Sequence, residues 1–388
     1  MTDADLDVAV VGAGHAGLCV VVALRRRGRS CTVFDDADRL GDTWRARYDG
    51  LRLNTKRQVS TIPGTRIDAS VGRWPGRDEW ADYVESVAEQ LGVERRVERV
   101  TRIDGIGDRW ELTTDGGEVD RTVSDHSDSA RTVSARTVVV ATGRNRVPEI
   151  PPWPGLDATS VRVIHAAEYR SPDEFRGRRV LVVGAGNSGT EIAHLLCEAG
   201  VEVTLSMRTR PVWARRELFG SDLSEFARTG RRMPSWLVDL SGRIMQPLLF
   251  GRMRPFGLGP PERRLSRVEE ASGATLDSGF VDDVKQGRIA LVDALERFDG
   301  DAVVLADGTR LHADVVIAGT GYRPDLGDLL DDAFVTDDGW PAVTDPPFEQ
   351  APGLFTAGLN PATLTAFHPD FISEADQIAD AIVSRLRR

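Results

Sequence analysis

The sequence near the start of the chain reads Asp7-Val-Ala-Val-Val-Gly12-Ala-Gly14-His-Ala-Gly17. Its apolar run predicts a buried parallel strand, and the glycines that follow directly are spaced as in a dinucleotide-binding turn. Gly12 permits the tight turn, Gly14 lets a pyrophosphate approach the backbone, and Gly17 lets the next helix pack on the strand. A second predicted strand ends at Asp35, about 20 residues further on, where a carboxylate binds an adenosine ribose and repels a 2′-phosphate. The first turn is therefore predicted to bind a dinucleotide without a 2′-phosphate.

The same pattern recurs as Val180-Leu-Val-Val-Gly184-Ala-Gly186-Asn187-Ser188-Gly189. Here the position of the ribose-binding acid holds Met207, and Arg208 and Arg210 follow it. Loss of the carboxylate and gain of guanidinium groups favour a ligand with a 2′-phosphate, which is NADPH. Arg208 is the stronger candidate for the phosphate clamp, and solvated charges at a strand end are the alternative. The residues assigned to this site are Gly184, Gly186, Asn187, Ser188, Gly189 and Arg208.

Two dinucleotide sites with opposite ribose preferences indicate that one chain passes hydride between two cofactors. FAD at the first turn and NADPH at the second is the simplest pair. The predicted fold class is α/β, with two Rossmann-like dinucleotide-binding domains. The sequence shows no nucleophile–base pair and no metal-ligand motif, as expected where a cofactor carries the chemistry.

Strand-like and proline-rich segments predict the domain boundaries. One predicted strand ends at Ala141-Thr142-Gly143, and the prolines between Pro148 and Pro154 then form a stiff linker. A matching strand before Gly319-Thr-Gly321-Tyr322 closes the second nucleotide unit, and a helix is predicted from Ser373 to Arg387. We expect an FAD domain of residues 1–156 and 317–388, and an inserted NADPH domain of residues 157–316.

Composition excludes several classes of protein. The chain has 388 residues with 49 basic and 60 acidic side chains, a net charge of −11, which disfavours binding to nucleic acids or anionic membranes. Three cysteines without a Cys-x-x-Cys pair exclude a disulfide framework and dithiol chemistry. The acidic N-terminus lacks a signal peptide, and no apolar run is long enough to span a bilayer, so we expect a cytoplasmic protein.

Two segments do not fit this scheme. Residues 121–136 are rich in Ser, Asp and repeated Arg-Thr-Val, and we expect a surface loop extension there. Residues 234–259 are rich in Leu, Met, Phe and Trp. They could cap the active site, dock a partner or touch a membrane, but helices packed within the NADPH domain are the leading interpretation. Asp115-Gly116 and Asp307-Gly308 lie between β-rich runs and predict hairpin turns.

Further motifs follow in a fixed order along the chain: Leu40-Gly41-Asp42-Thr43-Trp44-Arg45, Tyr48 to Lys56, His165-Ala-Ala-Glu-Tyr169, Asn187-Ser188 and Gly319-Thr-Gly321-Tyr322. With the two fingerprints, they make nearly the whole chain resemble the class B flavin-dependent monooxygenases. Within that class it resembles the flavin-containing monooxygenase and YUCCA-like group. The family signature F-x-G-x-x-x-H-x-x-x-Y/F is half kept, since Thr159 and Val161 occupy its Phe and Gly positions. Baeyer–Villiger relatives end this motif in Trp and then Pro or Asp, so Tyr169-Arg170 disfavours Baeyer–Villiger chemistry.

The resemblance implies an NADPH- and O₂-dependent monooxygenase that forms a flavin hydroperoxide and oxygenates a small molecule at nitrogen, sulfur or a keto group. It places Asn54 in the active site, where a neutral amide can donate a hydrogen bond to the peroxide or to NADP⁺ without supplying a proton. A loop asparagine bonded to its own backbone is the structural alternative. YUCCA enzymes more typically carry Pro near this position, so Asn54 favours heteroatom oxygenation. We also assign Trp44, Thr142, Gly143 and Gly358, with Gly12, Gly14, Gly17 and Asp35, to FAD, and Tyr322 to NADP.

Two rival interpretations stay open. An NADPH-dependent flavoprotein reductase or oxidase would pass electrons to a partner or to O₂. A flavin-binding sensor without turnover would explain the half-kept signature, although two intact fingerprints argue against it. The expected partners are a small-molecule substrate and O₂, with no nucleic acid and no membrane span. The oligomeric state stays open, with a homodimer as one candidate.

Overall fold

A computed structural model describes residues 3–115, 130–218, 221–222, 233–262, 264–266, 274–360 and 368–387. The chain divides into two compact units. The first unit comprises Met1–Ala46, Thr55–Val147 and Tyr322–Arg388. The second unit comprises Arg47–Asn54 and Pro148–Gly321.

The elements of the described residues are as follows in chain order. The strands are β1 (Asp3–Val11), β2 (Thr32–Phe34), β3 (Arg95–Arg96), β4 (Val100–Ile106), β5 (Arg109–Thr114), β6 (Arg131–Val140), β7 (Val147–Pro148), β8 (Arg162–His165), β9 (Arg179–Val183), β10 (Glu202–Ser206), β11 (Trp213–Arg215), β12 (Glu217–Leu218), β13 (Ser221–Asp222), β14 (Thr275–Asp277), β15 (Ile289–Val292), β16 (Leu295–Asp299), β17 (Ala302–Leu305), β18 (Arg310–Leu311), β19 (Val315–Ala318), β20 (Tyr322–Arg323), β21 (Glu349–Ala351) and β22 (Leu354–Thr356). The α-helices are α1 (His15–Arg26), α2 (Asp42–Arg45), α3 (Arg77–Gln90), α4 (Asn187–Glu198), α5 (Ser235–Phe250), α6 (Phe280–Lys285) and α7 (His368–Leu386). Short 3₁₀ helices span Ala69–Val71, Leu156–Ala158, Pro172–Phe175, Arg254–Phe256, Leu326–Asp328 and Asp332–Phe334.

The first unit is built on a sheet with the strand order β21-β22-β6-β1-β2-β3, to which β5 and β4 add as an antiparallel extension of β6. The strands from β22 to β3 run parallel, with Ala9 of β1 opposite Thr32 of β2 and Val138 of β6. Parallel strands covered on both faces need continuous apolar runs, and the last four residues of β1, from Val8 to Val11, are all buried. The sheet therefore presents the end of β1 and the glycine turn to the N-terminus of α1.

Helices α1 and α7 lie side by side in the first unit. Arg27 at the end of α1 forms ion pairs with Asp376 at 2.9 Å and Asp380 at 2.7 Å, both on α7. Helix α7 begins at His368, so it includes the five residues before the predicted start at Ser373. The terminal helix thus closes over the first helix of the chain.

The second unit repeats the same construction. Its sheet is parallel throughout, with the order β15-β10-β9-β19-β8. Helix α4 follows the glycine turn after β9 as α1 follows β1, and α6 packs against α4. The predicted α/β class with two Rossmann-like units is confirmed. No helix of the described residues has both the length and the apolarity needed to cross a membrane.

The second unit contains a segment from the early part of the chain, residues 47–54. The ring of Tyr48 is buried against that of Tyr169, with 5.8 Å between their centroids. Its hydroxyl donates to Glu191 Oε2 at 2.7 Å, and Asp49 N–H donates to the carbonyl of Arg170 at 2.8 Å. The chain passes from one unit to the other at 46/47, 54/55, 147/148 and 321/322. We expected a single inserted NADPH domain of residues 157–316. Long-range burial of Tyr48 is the physical reason for the added segment.

The structure describes part of segment 121–136, the Asp307-Gly308 turn and segment 234–259. Residues 131–136 belong to β6 and not to the predicted loop, because Val133 and Ala135 alternate inward and are fully buried; residues 116–129, with the Asp115-Gly116 turn, lie outside the described residues. The Asp307-Gly308 hairpin is confirmed by the antiparallel pair β17 and β18. Segment 234–259 consists mainly of α5, of which Phe250 is buried and Trp236 and Leu248 are exposed.

Candidate active site

The glycine turn of the first unit is shaped by its own packing. Gly12 has φ +104°, and a Cβ there would lie 2.5 Å from the carbonyl oxygen of Ala141. A Cβ at Gly17 would collide with the carbonyl oxygen of Gly12. By contrast, a Cβ at Gly14 would meet no protein atom within 4 Å. Packing therefore requires the first and third glycines, and the second borders open space at the N-terminus of α1.

The glycine turn of the second unit has the same geometry. Gly184 has φ +109°, and a Cβ there would lie 2.5 Å from the carbonyl oxygen of Gly319. A Cβ at Gly189 would collide with the carbonyl oxygen of Gly184, whereas one at Gly186 would meet nothing within 4 Å. Gly14 and Gly186 are the N-caps of α1 and α4, and neither supplies a side-chain cap. The N–H groups of both first turns are thus available to an anion.

The acid after β2 fixes the first turn. Asp35 Oδ2 accepts the N–H of Ala13 at 2.7 Å, and Oδ1 accepts the N–H of Ala37 at 3.1 Å. Burial raises the pKa of Asp35, although both N–H bonds favour the charged form. The two N–H bonds hold the carboxylate in place, and each of its oxygens keeps a further acceptor site.

Other residues assigned to FAD gather around the same helix N-terminus. Thr142 follows Ala141, which packs on Gly12, and its Oγ1 is buried without a hydrogen-bond partner among the described residues. Gly143 follows with φ +83° and open space beside it. Gly358 has φ +70°, and a Cβ there would lie 2.6 Å from the Cβ of Ala16. Half-buried Trp44 packs edge-on against Trp80, with 6.1 Å between ring centroids.

The arginines after β10 differ in their surroundings. Arg210 pairs with Glu262 at 3.1 Å and donates to the carbonyl of Pro260 at 3.0 Å. The exposed Arg208 makes no hydrogen bond or ion pair with any residue that the structure describes. In the turn before α4, Asn187 Oδ1 accepts the N–H of Leu276 at 2.7 Å, so this side chain already anchors β14. Ser188, beside it, is half-buried.

Asn54 and Tyr322 lie where the chain passes between units. Asn54 is the last residue of the segment that belongs to the second unit, and Tyr322 is the first residue of the terminal part of the first unit. The Asn54 side chain is exposed and bonds to none of the described residues. The predicted alternative, a loop asparagine bonded to its own backbone, is therefore not found within the described chain.

Comparison with known proteins gives the family. A family described as pyridine nucleotide-disulphide oxidoreductase matches residues 9–225. The chain is 32% identical over 380 residues to indole-3-pyruvate monooxygenase YUCCA1 of Oryza sativa subsp. japonica, covering 95% of this chain and 90% of that protein. The chain belongs to the YUCCA-like flavin-dependent monooxygenases. Probable indole-3-pyruvate monooxygenase YUCCA8 of Arabidopsis thaliana is 29% identical, covering 95% of this monooxygenase and 88% of the plant protein.

Solved structures agree in fold with this YUCCA-like monooxygenase. The flavin-containing monooxygenase from Stenotrophomonas maltophilia superposes with a TM-score of 0.75 at 24% identity, covering 100% of both chains. The S-allyl-L-cysteine S-oxygenase from Allium sativum gives a TM-score of 0.64 at 21% identity, covering 98% of this chain and 78% of that one. The family uses FAD and NADPH, which confirms the two predicted cofactors.

The two turns of this YUCCA-like monooxygenase fit those cofactors. Each offers uncapped N–H groups beside a glycine whose missing Cβ leaves space for a pyrophosphate. Thr142 Oγ1, buried and without a partner among the described residues, adds a hydroxyl close to the first turn. Where the first unit has the acid Asp35, the second has Met207, and the cation Arg208 follows directly. This asymmetry matches one ligand without and one ligand with a 2′-phosphate.

Two acids of the monooxygenase, one half-buried and one buried, were missed by sequence reasoning. Glu191 on α4 is half-buried and accepts from Tyr48; burial raises the pKa of Glu191 in spite of that hydrogen bond. Glu374 on α7 is buried and accepts the N–H of Gly358. A signal for Glu374 was present, since it lies one turn before Ile378 on the apolar face of the terminal helix.

His194, Glu198 and Asp283 form a polar cluster in the second unit, and a nearby arginine explains how its charges are balanced. His194 Nδ1 lies 2.7 Å from Oδ2 of the buried Asp283, and Glu198 is close by. Arg288 binds both Asp283 and Glu198, the latter at 2.6 Å. The guanidinium therefore balances both carboxylates and ties α4 to α6.

Proposed function

We propose that this monooxygenase converts a 2-oxo acid of the indole-3-pyruvate type into the carboxylic acid with one carbon fewer. The observation that carries the proposal is the similarity to indole-3-pyruvate monooxygenases over nearly the full length of both chains. The balanced reaction consumes one 2-oxo acid, O₂, NADPH and H⁺, and gives one carboxylic acid, CO₂, NADP⁺ and H₂O. The bond between the two carbonyl carbons breaks, and one oxygen atom of O₂ enters the new carboxylate.

FAD, when bound, accepts hydride from NADPH and activates O₂, so the protein's residues act by binding, orientation and exclusion of water. In the first unit the N–H groups at Gly14 hold the FAD pyrophosphate, Asp35 accepts from the ribose, and Thr142 Oγ1 donates to the cofactor. Gly12 and Gly17 set the turn, while Trp44, Gly143 and Gly358 border it. The open space beside Gly14 and the unpartnered Oγ1 of Thr142 support these roles.

In the second unit, Gly186 and Ser188 at the start of α4 hold the NADPH pyrophosphate. Arg208 binds the 2′-phosphate; its guanidinium is exposed and has no partner among the described residues, which supports this role. Asn187 positions the turn through its bond to Leu276, and Gly184 and Gly189 shape it as Gly12 and Gly17 shape the first. Tyr322 borders the nicotinamide site.

Asn54 is the proposed catalytic residue. Its neutral amide donates a hydrogen bond where oxygen reacts, and it has no readily lost proton that would release H₂O₂. The exposed amide without a partner among the described residues supports this role. The hydrogen bonds of Tyr48 and Asp49 to the second unit hold the segment that carries it.

The test is turnover of indole-3-pyruvate with NADPH under ¹⁸O₂, followed by mass spectrometry of the acid product. We expect one labelled oxygen per acid and one CO₂ per NADPH. Catalase is present throughout, because H₂O₂ released by an uncoupled flavoprotein decarboxylates 2-oxo acids without an enzyme. Parallel reactions contain an aryl methyl thioether or a tertiary amine in place of the 2-oxo acid.

The outcomes separate the rival interpretations. Label in a sulfoxide or N-oxide, with no labelled acid, would overturn the 2-oxo acid assignment in favour of the heteroatom oxygenation that Asn54 favours. NADPH consumption that yields only H₂O₂ with every substrate would indicate an NADPH oxidase. No flavin reduction by NADPH would indicate a sensor.

A further inference from the structure

The turn at Gly358 closes against the start of α1. With φ +70°, Gly358 brings its Cα so close to Ala16 that an added Cβ would lie 2.6 Å from the Ala16 Cβ and 3.2 Å from the ring of Phe371. One side chain fastens this turn to the terminal helix, since Glu374 Oε1 accepts the N–H of Gly358 at 2.8 Å. Glu374 therefore sets the position of backbone that borders the first turn of α1, where FAD binds.

The second oxygen of Glu374 is left unused. Oε2 is buried and has no hydrogen-bond partner among the described residues, and the side chain as a whole is only 4% exposed. No described basic side chain forms an ion pair with it. A buried carboxylate without a counter-ion is costly, whereas a neutral carboxylic acid keeps Oε1 as acceptor and turns Oε2 into a donor.

The groups facing Glu374 from the elements around it do not supply a compensating charge. Asp370 lies one turn earlier on α7 and disfavours the charged form. On α1, Cys19 faces Glu374, and burial first, with Glu374 and Asp376 next, raises the pKa of that thiol to about 12. His15, whose ring packs on Phe371 at 5.2 Å, lies 3.7 Å from the sulfur through Nε2. Burial, with a smaller contribution from Asp370, raises the pKa of Glu374 to about 7 against the opposing N–H bond of Gly358.

We propose that Glu374 is a positioning residue for the FAD turn and that FAD binds to the form in which Glu374 is neutral, so that binding takes up a proton. The inference rests on FAD occupying the first unit. The pyrophosphate brings negative charge to the N-terminus of α1, and ionised Glu374 would add another negative charge behind the same turn. The ligand and the ionised carboxylate therefore oppose each other.

The direction of the pH dependence follows from linkage. Below pH 6 Glu374 is neutral with or without FAD, and the affinity does not change with pH. As the pH rises above about 7, free protein loses the proton that the complex retains, so the dissociation constant rises. If FAD binds only to protein with neutral Glu374, the affinity for FAD scales with the neutral fraction of that side chain. The affinity at pH 8.5 should then be lower than at pH 6 by at most about 30-fold.

The experiment titrates the full chain, freed of FAD, with FAD from pH 6 to pH 8.5, and follows quenching of flavin fluorescence. Calorimetry in two buffers of different ionisation enthalpy counts the protons taken up. We expect wild type to lose affinity with rising pH and to take up a proton at pH 8. Glu374→Gln keeps the acceptor for Gly358 and carries no charge, so its dissociation constant should vary less than about twofold over the range.

Asp376→Asn is the matched control, because it removes a carboxylate from the same helix that pairs with Arg27 and does not touch Gly358. It should keep the wild-type pH profile. A profile that persists in Glu374→Gln would overturn the inference, because the group that titrates would then not be Glu374. FAD binding that is independent of pH in wild type would overturn it as well. Failure to bind FAD at any pH would instead contradict the cofactor assignment, and ¹⁸O labelling tests the substrate separately.

Discussion

At the residue scale, the two arginines after β10 differ in what they already bind. Arg210 is occupied by Glu262 and the carbonyl of Pro260, whereas Arg208 has no described partner. A charge-assisted hydrogen bond is worth about 1.5–3 kcal/mol, so we expect Arg208→Ala to weaken NADPH binding by about 10- to 100-fold. NADH lacks the 2′-phosphate, and its affinity should stay within about twofold of wild type.

Dissociation constants for both nucleotides, measured by anaerobic titration of the FAD-loaded enzyme, check this prediction. Arg210→Ala is the matched control and should affect the two nucleotides equally. Equal losses for NADPH and NADH in Arg208→Ala would mean that Arg208 does not bind the phosphate.

The structural requirements of single residues were predictable where the reason is local to the backbone. A Cβ at Gly12 or Gly17 would collide with backbone atoms. The spacing of these glycines in the sequence already indicates that requirement. Asp35 was placed correctly at the end of β2, but its bonds to the N–H groups of Ala13 and Ala37 were not foreseen. The sequence places Glu374 on the apolar face of the terminal helix, but its bond to Gly358 N–H was not foreseen, because that bond depends on packing between distant parts of the chain.

At the element scale, the Tyr48 hydroxyl joins segment 47–54 to α4. Tyr48→Phe preserves the ring packing on Tyr169 but removes the hydroxyl that donates to Glu191 Oε2, while Arg216 stays 3.5 Å from Oε1. We expect the second unit to lose about 1–3 kcal/mol of unfolding free energy. Burial already raises the pKa of folded Glu191 above its ordinary 4.5, so the ionised form destabilises the fold increasingly as pH rises, and loss of the donor enlarges this effect. The variant should therefore lose more stability at pH 7 than at pH 4, because the effect develops only as the pH rises above 4.5.

Urea unfolding of the full chain at both pH values, followed by tryptophan fluorescence, measures this loss. Tyr169→Phe is the control, because its hydroxyl is buried without a partner among the described residues and its removal should cost little. Equal destabilisation by the two variants, or a loss in Tyr48→Phe that does not depend on pH, would show that the Glu191 hydrogen bond is not responsible.

Elements were predictable where hydrophobic periodicity is strong and local. The strands before both glycine turns and the hairpin at Asp307-Gly308 follow from such patterns. Residues 131–136 were assigned to a loop because Arg, Thr and Ser dominate the outward positions of β6 and conceal the alternation of Val133 and Ala135. The position of segment 47–54 depends on burial of one aromatic ring in a distant core, which periodicity does not report.

At the scale of the whole molecule, the fold is one construction used twice. Each unit has a parallel sheet, a glycine turn at a central strand and a helix whose N-terminus is uncapped. This repetition is written in the sequence as two fingerprints, so the α/β class and both cofactors were predictable from it. The residues at which the chain passes from one unit to the other were not predictable. Proline content indicates a stiff linker, but it does not show where packing changes from one core to the other.

The proposed reaction has two halves, because we assign FAD to the first unit and NADPH to the second. Substitution of Asn54 tests whether its amide serves the oxygen-transfer half alone. We expect Asn54→Ala to be reduced by NADPH at the wild-type rate, because neither nucleotide site is altered. Loss of an interaction of about 1.4 kcal/mol changes a ratio of rates about tenfold. The ratio of acid product to H₂O₂ should therefore fall about tenfold or more, as oxygen is released before it reaches the substrate.

Anaerobic stopped-flow reduction, together with product and peroxide yields per NADPH, separates the two halves of the reaction. Gln58→Ala is the control, because it removes an exposed amide from the same stretch of chain and should leave both halves unchanged. Slower reduction with an unchanged product ratio would place Asn54 in NADPH binding. Its amide would then orient the nicotinamide, and protection of the reacting oxygen would have to come from another donor.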